Sequence, residues 1–447
     1  MFCNIKKHLV LCLILQQSVL LFSQNHRSDS SGETLPLSIS QTWDMAVQSS
    51  KKIDLSSLEA DVSAEEIRES KYERFPEISL NGNYEYATNI PVYEDGLLKP
   101  PTQHEVIHLL YKVSTDFYFN IYNGNKLNLQ IDKKNALADI AQVQKELTTS
   151  EIKLQSAVYY LNLQAYLFFK ELVLQDITNQ EKQLHEIKEL YKHGVILKSD
   201  VLRVELKLSN QKMMLVKIEN DIAIANQKLN IIIGLPDHDK VNPYEDLDPV
   251  LFPLLPYDDY LEIAEKNSYD YRISEKRVEL KKIELKNIRA NVKPKIGLYG
   301  EFYLANPQIF LYPYSPSNYT LGIFGVKASL PLSELFINKP KERVAKLNLE
   351  KEELEHHHID DKIREKVYEN FLRFKEALVK IDVAKADIDQ ANENQRIVHN
   401  NYLNQTALIT DLLDADVQLL QSRFNFVTAK ITAQIQYYQL QNVLGTL

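Results

Sequence analysis

Past residue 12 the sequence contains no cysteine, since Cys3 and Cys12 both lie in the apolar N-terminus. A mature chain without them has neither a disulfide nor thiolate chemistry. Glycine is scarce, with 11 in 447 residues, and tryptophan occurs once. With 25% charged residues, this favours long helices over a turn-rich β-sandwich. There is no basic excess either: a net charge of −9 leaves no electrostatic footprint for nucleic acid. After the N-terminus no run is long and apolar enough to cross a bilayer as a helix. A glycine-rich phosphate loop, a nucleophile elbow and a zinc-protease motif are missing too, so neither an enzyme nor a cofactor is expected.

What is there begins with an export signal. Lys6, Lys7 and His8 precede an apolar stretch from Leu9 to Phe22, broken only by Gln16, Gln17 and Ser18, with cleavage expected after Ser23. An exported chain without a membrane helix either stays soluble or enters an outer membrane as strands.

The mature chain reads as one unit written twice. "YKHGVILKSDVLRVELKLS" from Tyr191 aligns with "YLNQTALITDLLDADVQLL" from Tyr402 at a constant offset of 211, ungapped to Gly234 on Gly445. "FPEISLNGNY" from Phe75 aligns with "KPKIGLYGEF" from Lys293 at an offset of 218. The expected organisation is a signal peptide at 1–23, a first repeat at 24–234, a proline-rich linker at 235–256 and a second repeat at 257–447.

Each repeat reads as helix, strand, strand, long helix, shorter helix. The first helix is expected from Gln41 to Arg74, ending before Pro76. Strands follow at about 76–87 and 110–122, and in the second repeat at about 294–305 and 319–331, where the period switches to two. Ile78, Leu80, Tyr84 and Tyr86 alternate with Ser79, Asn81, Asn83 and Glu85, and Tyr111, Val113, Thr115, Phe117 and Phe119 alternate with Lys112, Ser114, Asp116, Tyr118 and Asn120. Such strands suit either a half-buried sheet or a bilayer, which tilted strands of ~9–11 residues cross. Four strands cannot close a barrel, so the membrane reading demands several copies sharing one. The segments Ala87 to Leu110 and Ala305 to Tyr319 read as external loops.

Long helices are expected from Lys126 to Tyr191 and from Pro340 to Tyr402, each about 95–100 Å at ~1.5 Å per residue. The first and last helices of a repeat together match that length, so two short helices stacked end to end can flank each long one. The last helices, Ser199 to Ile233 and Thr410 to Leu444, carry heptad seams: Val201, Val204, Leu208, Gln211, Leu215 and Ile218 in one, Leu412, Ala415, Leu419, Ser422 and Phe426 in the other. A second stripe, Leu413, Val417, Leu420, Phe424, Val427 and Ile431, gives the final helix a neighbour on each side, as in the wall of a tube.

With the signal peptide, the in-register duplication and the stretches "Y…G…D.L" and "LITDLLDADVQLL…LGTL", the chain resembles the TolC-like outer membrane efflux proteins. The resemblance implies a fold combining α-helices with membrane β-structure. Three tandem-repeat protomers, each with long coiled-coil helices and four β-strands, would form a homotrimer. Its twelve-stranded barrel in outer membrane lipid would continue as an α-helical tunnel through the periplasm. It also implies passive export of small molecules or proteins, with a periplasmic adaptor (membrane fusion protein) and an inner-membrane efflux pump or type I secretion transporter as partners. A soluble exported coiled-coil scaffold or adaptor is the alternative.

The same resemblance supplies site residues. Gly194, Val195, Leu197, Thr406 and Leu408 fall in the helix-to-helix turns where adaptors dock, although Gln405 replaces the glycine of the second turn. Asp411 and Asp414 match paired aspartates ringing the periplasmic entrance, while Tyr402 and Asp200 match a tyrosine and an aspartate of the gate. Ala407 stands where the best-known gate has an arginine. Asp411 and Asp414 share a helical face with Gln418, Gln421 and Asn425. Asp416, on another face with Arg423 and Lys430, is expected to be an ordinary surface charge, although in a ring of helices the narrower angle between the seams, which faces the lumen, favours its side. In "EHHHIDD" (355–361), His356 with Asp360 or His357 with Asp361 has metal-ligand spacing, but on a long charged helix no metal site is expected.

Overall fold

The computed structural model describes residues 34–245, 253–308, 313 and 315–447; the export signal and positions 246–252 of the linker lie outside the described residues. Strand β1 (Thr34–Leu37) leads into helices α1 (Ile39–Ser49) and α2 (Lys51–Tyr72), then strand β2 (Glu77–Tyr86). A small antiparallel pair, β3 (Ile90–Val92) and β4 (Thr102–His104), decorates the first external loop before β5 (Leu109–Tyr122). The long helix α3 (Lys126–Lys192) and the returning α4 (Lys198–Ile233) complete the first half. After β6 (Lys240–Pro243) the plan recurs as α5 (Tyr257–Asn267), α6 (Tyr269–Arg289), β7 (Lys295–Asn306), β8 (Tyr319–Ser329), α7 (Glu334–Leu403) and α8 (Ile409–Leu444).

Three expectations need correction. The first helix of each half is two helices, broken at Ser50 and at Ser268, which the offset of 218 places on one another. Both serines have extended backbone, φ −78° and −54°, and the breaks receive the ends of the returning helices. Gly234 and Gly445 end those helices in the left-handed region (φ 77° and 74°), and a Cβ on either would strike Ser49 or Asn267 just before the break. Pro340 does not start its helix, because α7 begins at Glu334 and Pro340 lies inside its second turn. Finally, part of the expected linker is ordered as β6, parallel to β1 with Leu35 opposite Val241. This pairing ties the start of the first half to its end.

The helices form a wall. α3 packs against α1, α2 and α4 on one side and against α6 and α8 on the other, and α7 packs against α5, α6 and α8. The order across the wall is therefore the α1–α2–α4 column, α3, the α5–α6–α8 column, α7. The interior helix α3 buries 18 of its 67 residues, whereas α7 buries seven of 70, so α7 is an edge. Both edges stay apolar: Val344, Leu347, Leu354, Val379 and Val383 on α7, and Leu55, Leu58, Val62, Leu206 and Val216 on the α2–α4 column, are more than half exposed or close to it. The largest core cluster sits mid-wall around β1 and β6, where Tyr160 donates a hydrogen bond to the Leu37 carbonyl at 2.9 Å among Leu161, Leu163, Leu229, Ile233 and Val241.

The four long strands make one antiparallel sheet in the order β2-β5-β7-β8. Registers align the apolar positions across it: Ile78 opposite Phe117, Leu80 opposite Thr115, Thr115 opposite Phe302, Leu298 opposite Val326 and Gly300 opposite Phe324. Directly opposed residues share a face, so all four strands contribute to one apolar face. It is bare: Leu80 is 76% exposed, Tyr84 75% and Phe324 80%. The other face carries Asn81, Asp116, Lys112 and Glu301; Asn81 donates to Asp116, and Lys112 pairs with Glu301. β2 and β8 have no partner along their outer edges among the described residues.

Candidate tunnel entrance at the helical tips

At the end of the wall remote from the sheet, α3 turns into α4 and α7 into α8. In the first turn Gly194 takes φ 71°, a left-handed conformation natural to glycine. Gln405, which lies on it at the offset of 211, takes φ 62°. The second turn thus keeps the first one's geometry despite losing its glycine. Val195, Leu197, Thr406 and Leu408 project from the two turns and are exposed.

Each returning helix starts by the same local device. The Asp200 carboxylate accepts a hydrogen bond from the Leu197 amide at 3.4 Å, and that of Asp411 accepts one from the Leu408 amide at 3.1 Å. A carboxylate three residues into a helix satisfies an otherwise orphaned amide and favours the positive end of the helix dipole. Helix capping therefore accounts for the aspartate common to both halves. Asp414 is exposed one turn further on and makes no ion pair among the described residues.

Tyr402 is buried in an apolar tip cluster with Ile187, Val201, Val204, Ile409 and Leu412, which joins the two hairpins. Its hydroxyl has no hydrogen-bond partner among the described residues, and burial, then the nearby Asp200 charge, raises its pKa. Asp200 lies near enough for its charge to disfavour the Tyr402 phenolate, but no hydrogen bond joins the two among the described residues.

Asp416 overturns its expectation as a surface charge. Its side chain is 9% exposed and lies 3.1 Å from the ammonium of Lys207, itself 9% exposed. Gln180 donates to the same carboxylate oxygen at 3.1 Å and Gln183 at 3.5 Å, while Gln395 donates to the other oxygen at 3.1 Å. The physical reason is a drift of the second seam. Going N-terminal from Leu420, the buried stripe of α8 steps four residues to Asp416, where a strict heptad would have stepped three to Val417, which is 52% exposed. Sequence reasoning named neither the three glutamines nor Lys207 as a partner; the only signal was the four-residue spacing from Asp416 to Leu420.

Beside this pair lies a polar cavity of about 290 Å³, lined by Asp176, Gln180, Gln183, Gln395, His399 and Arg423 among others. Burial, and less strongly the Asp416 charge, raises the Asp176 pKa. The histidine run does not converge on a metal-binding cluster among the described residues. His356 Nδ1 sits 2.8 Å from Ser274 Oγ, and His357 lies 3.9 Å from Asp360.

No family model and no curated protein matches the sequence. Solved structures do resemble it. CusC, described as forming a transmembrane channel, superposes with a TM-score of 0.77 at 13% identity, covering 94% of this chain and 95% of its own. The outer membrane protein VceC from Vibrio cholerae gives 0.73 at 15% identity, over 91% and 96% of the two chains. The Neisseria gonorrhoeae MtrE outer membrane channel, solved in its open state, gives 0.73 at 15% identity, over 95% of each. The chain has the protomer fold of the TolC-like outer membrane channels along nearly its whole length.

Proposed function

We propose that three copies of this chain form a passive outer membrane duct for export, with the strands closing a twelve-stranded barrel and the helical wall closing a tunnel through the periplasm. One observation carries this reading: a sheet with a bare apolar face and, among the described residues, two unpaired edges runs directly into helices of about 100 Å. Unpaired edges cannot persist in lipid, and four strands are too few to close alone. The polar opposite face, with Lys112, Glu301, Asn81 and Asp116, suits a water-filled lumen. The apolar edges of the wall, α7 and the α2–α4 column, suit burial against neighbouring copies. The soluble scaffold reading leaves all of this apolar surface in water, where large contiguous patches are avoided.

In this reading the turns at Gly194, Val195 and Leu197 and at Thr406 and Leu408 receive a periplasmic adaptor that couples the duct to an inner-membrane pump or type I transporter. The entrance lies at the tips, where Asp414 with Asp411 would form rings of carboxylates by three-fold symmetry, able to attract cations. Tyr402 would help hold the two hairpins of a protomer together through the apolar tip cluster, with Asp200 beside it at the start of the first returning helix. Two measurements on the full-length exported protein test the duct. Membrane fractionation should place it in the outer membrane as a trimer, and planar bilayers should show conductance. A monomer confined to the soluble fraction refutes the proposal.

A further inference from the structure

Building on the duct reading, we propose that Lys126, Lys295 and Lys327 form, with their copies around the axis, a collar that binds multiply charged anions where the sheet meets the helical wall. Lys295 is the first residue of β7, and Lys327 lies two residues before the end of β8. Lys295 stands opposite Ser329 and Lys327 opposite Gly297, so the two exposed lysines are diagonal neighbours on one face. It is the face of Lys112, Asp116 and Glu301, which the duct reading turns toward the lumen, and it lies opposite the apolar one that would meet lipid. Diagonal neighbours are ~7–8 Å apart, a span that one chain of linked phosphates can bridge and a chloride ion cannot.

Lys126 adds a third positive charge at the first position of α3, where it is half-buried and donates a hydrogen bond to Asn291. Burial, then the Lys295 charge and, against the opposing pull of Glu334, that of Lys341, hold its pKa below the ordinary lysine value. Glu334 is already engaged, 3.1 Å from Lys341, and Lys126, Lys295 and Lys327 make no ion pair among the described residues. The start of a helix is its positive end and favours acidic residues. α7 has Glu334 in its first turn, whereas α3 has no acidic residue there and its N-cap Asn125 makes no side-chain capping bond. Repelling lysines at a helix start are an arrangement that a bound anion relieves. The nearest carboxylate on the same face of β7, Glu301, lies four residues from Gly297 and pairs with Lys112. At ~3.3 Å per residue that is about 13 Å, more than the Debye length of ~8 Å at physiological salt.

The duplication shows that the strands themselves do not call for lysine. The two hairpins superpose at an offset of 218 on their first strands and 211 on their second, since Glu77 faces Tyr118 as Lys295 faces Ser329. Lys295 therefore falls on Glu77, and Lys327 on Asp116. Both positions carry a carboxylate in the first half and an ammonium in the second, on the same face of the same kind of hairpin. The basic charge is thus a property of the second hairpin, set against the acidic tips at the far end of the wall.

Single-channel recording of purified trimers in planar bilayers, with inorganic tripolyphosphate as the probe, tests the collar. Tripolyphosphate should block the wild-type current. The half-blocking concentration should rise about tenfold or more in the double variant Lys295→Gln with Lys327→Gln, while Lys295→Arg with Lys327→Arg keeps the block. The reversal potential in a KCl gradient should move toward cation preference in the glutamine variant only. An unblocked wild type, a glutamine variant blocked as readily as wild type, or an arginine variant that loses block as fully as the glutamine one overturns the proposal. If the double glutamine variant does not assemble, Lys327→Gln alone is recorded: weaker block supports the collar, and unchanged block with an unchanged reversal potential overturns it. A wild-type protein with no conductance refutes the duct itself, whereas a conducting wild type that tripolyphosphate does not block refutes only the collar.

Discussion

Gln405 holds a backbone conformation that costs a residue with a Cβ roughly 1–2 kcal/mol, whereas its counterpart Gly194 takes it without strain. Gln405→Gly should therefore stabilise the second tip turn by about 1 kcal/mol, and Gly194→Ala should destabilise the first by a similar amount. Hydrogen exchange of the turn amides would resolve both. Asp176 makes a pH-dependent prediction. Burial raises its folded pKa above the ordinary 3.8, so the folded state holds the proton more tightly than the unfolded one. Its contribution is most favourable below the unfolded value and is lost as pH rises through the raised folded value. Thermal melts should show Asp176→Asn more stable than wild type at neutral pH, with the gap closing as pH falls to 4 and below. At this scale the sequence was least legible. The fate of Asp416 turned on whether a seam stepped three residues or four, and the capping role of Asp200 and Asp411 on a turn whose shape did not depend on keeping its glycine.

The elements themselves were far more readable, because period-two and heptad patterns extend over many residues and average out local exceptions. What escaped were features imposed by packing between distant segments. Ser50 and Ser268 break helices where the ends of other helices dock, and β6 forms only because β1 lies beside it. The two glycine caps give an element-scale test. Gly445→Ala would meet the backbone carbonyl of Asn267, and Gly234→Ala would meet Ser49 Oγ and, at 2.7 Å, Ser49 Cβ; rotating the hydroxyl, which gives up its 3.0 Å hydrogen bond to Ile233, relieves only the first of these two contacts. Both should lose stability in denaturant titrations, through the left-handed backbone and through contacts with atoms that side-chain rotation cannot move. For the sheet, Leu80→Arg puts a charge mid-strand on the bare face. If that face meets lipid, the variant should cost about 2–4 kcal/mol and reduce outer membrane trimer, while Asn81→Arg on the other face should be tolerated. Equal tolerance of both would argue for an aqueous setting.

For the whole molecule, the two halves share one plan but not one role. Within one chain the second returning helix α8 has neighbours on both sides, α3 and α7, whereas the first returning helix α4 lies at an edge that the proposed trimer would cover with a neighbouring copy. The buried pair Lys207–Asp416 crosses between hairpins, whereas Glu205, the first-half counterpart of Asp416, pairs at 2.7 Å with Lys188 inside its own hairpin. The free edges of β2 and β8 have a further consequence, for biogenesis. In the proposed duct a single chain completes neither its sheet nor its helical wall, so its apolar edges and sheet face cannot be sheltered until other copies arrive. If the duct proposal holds, insertion depends on encounter between exported chains and should fall more steeply than linearly as expression drops, and each waiting protomer would be a client for whatever escorts unfolded strands to the membrane.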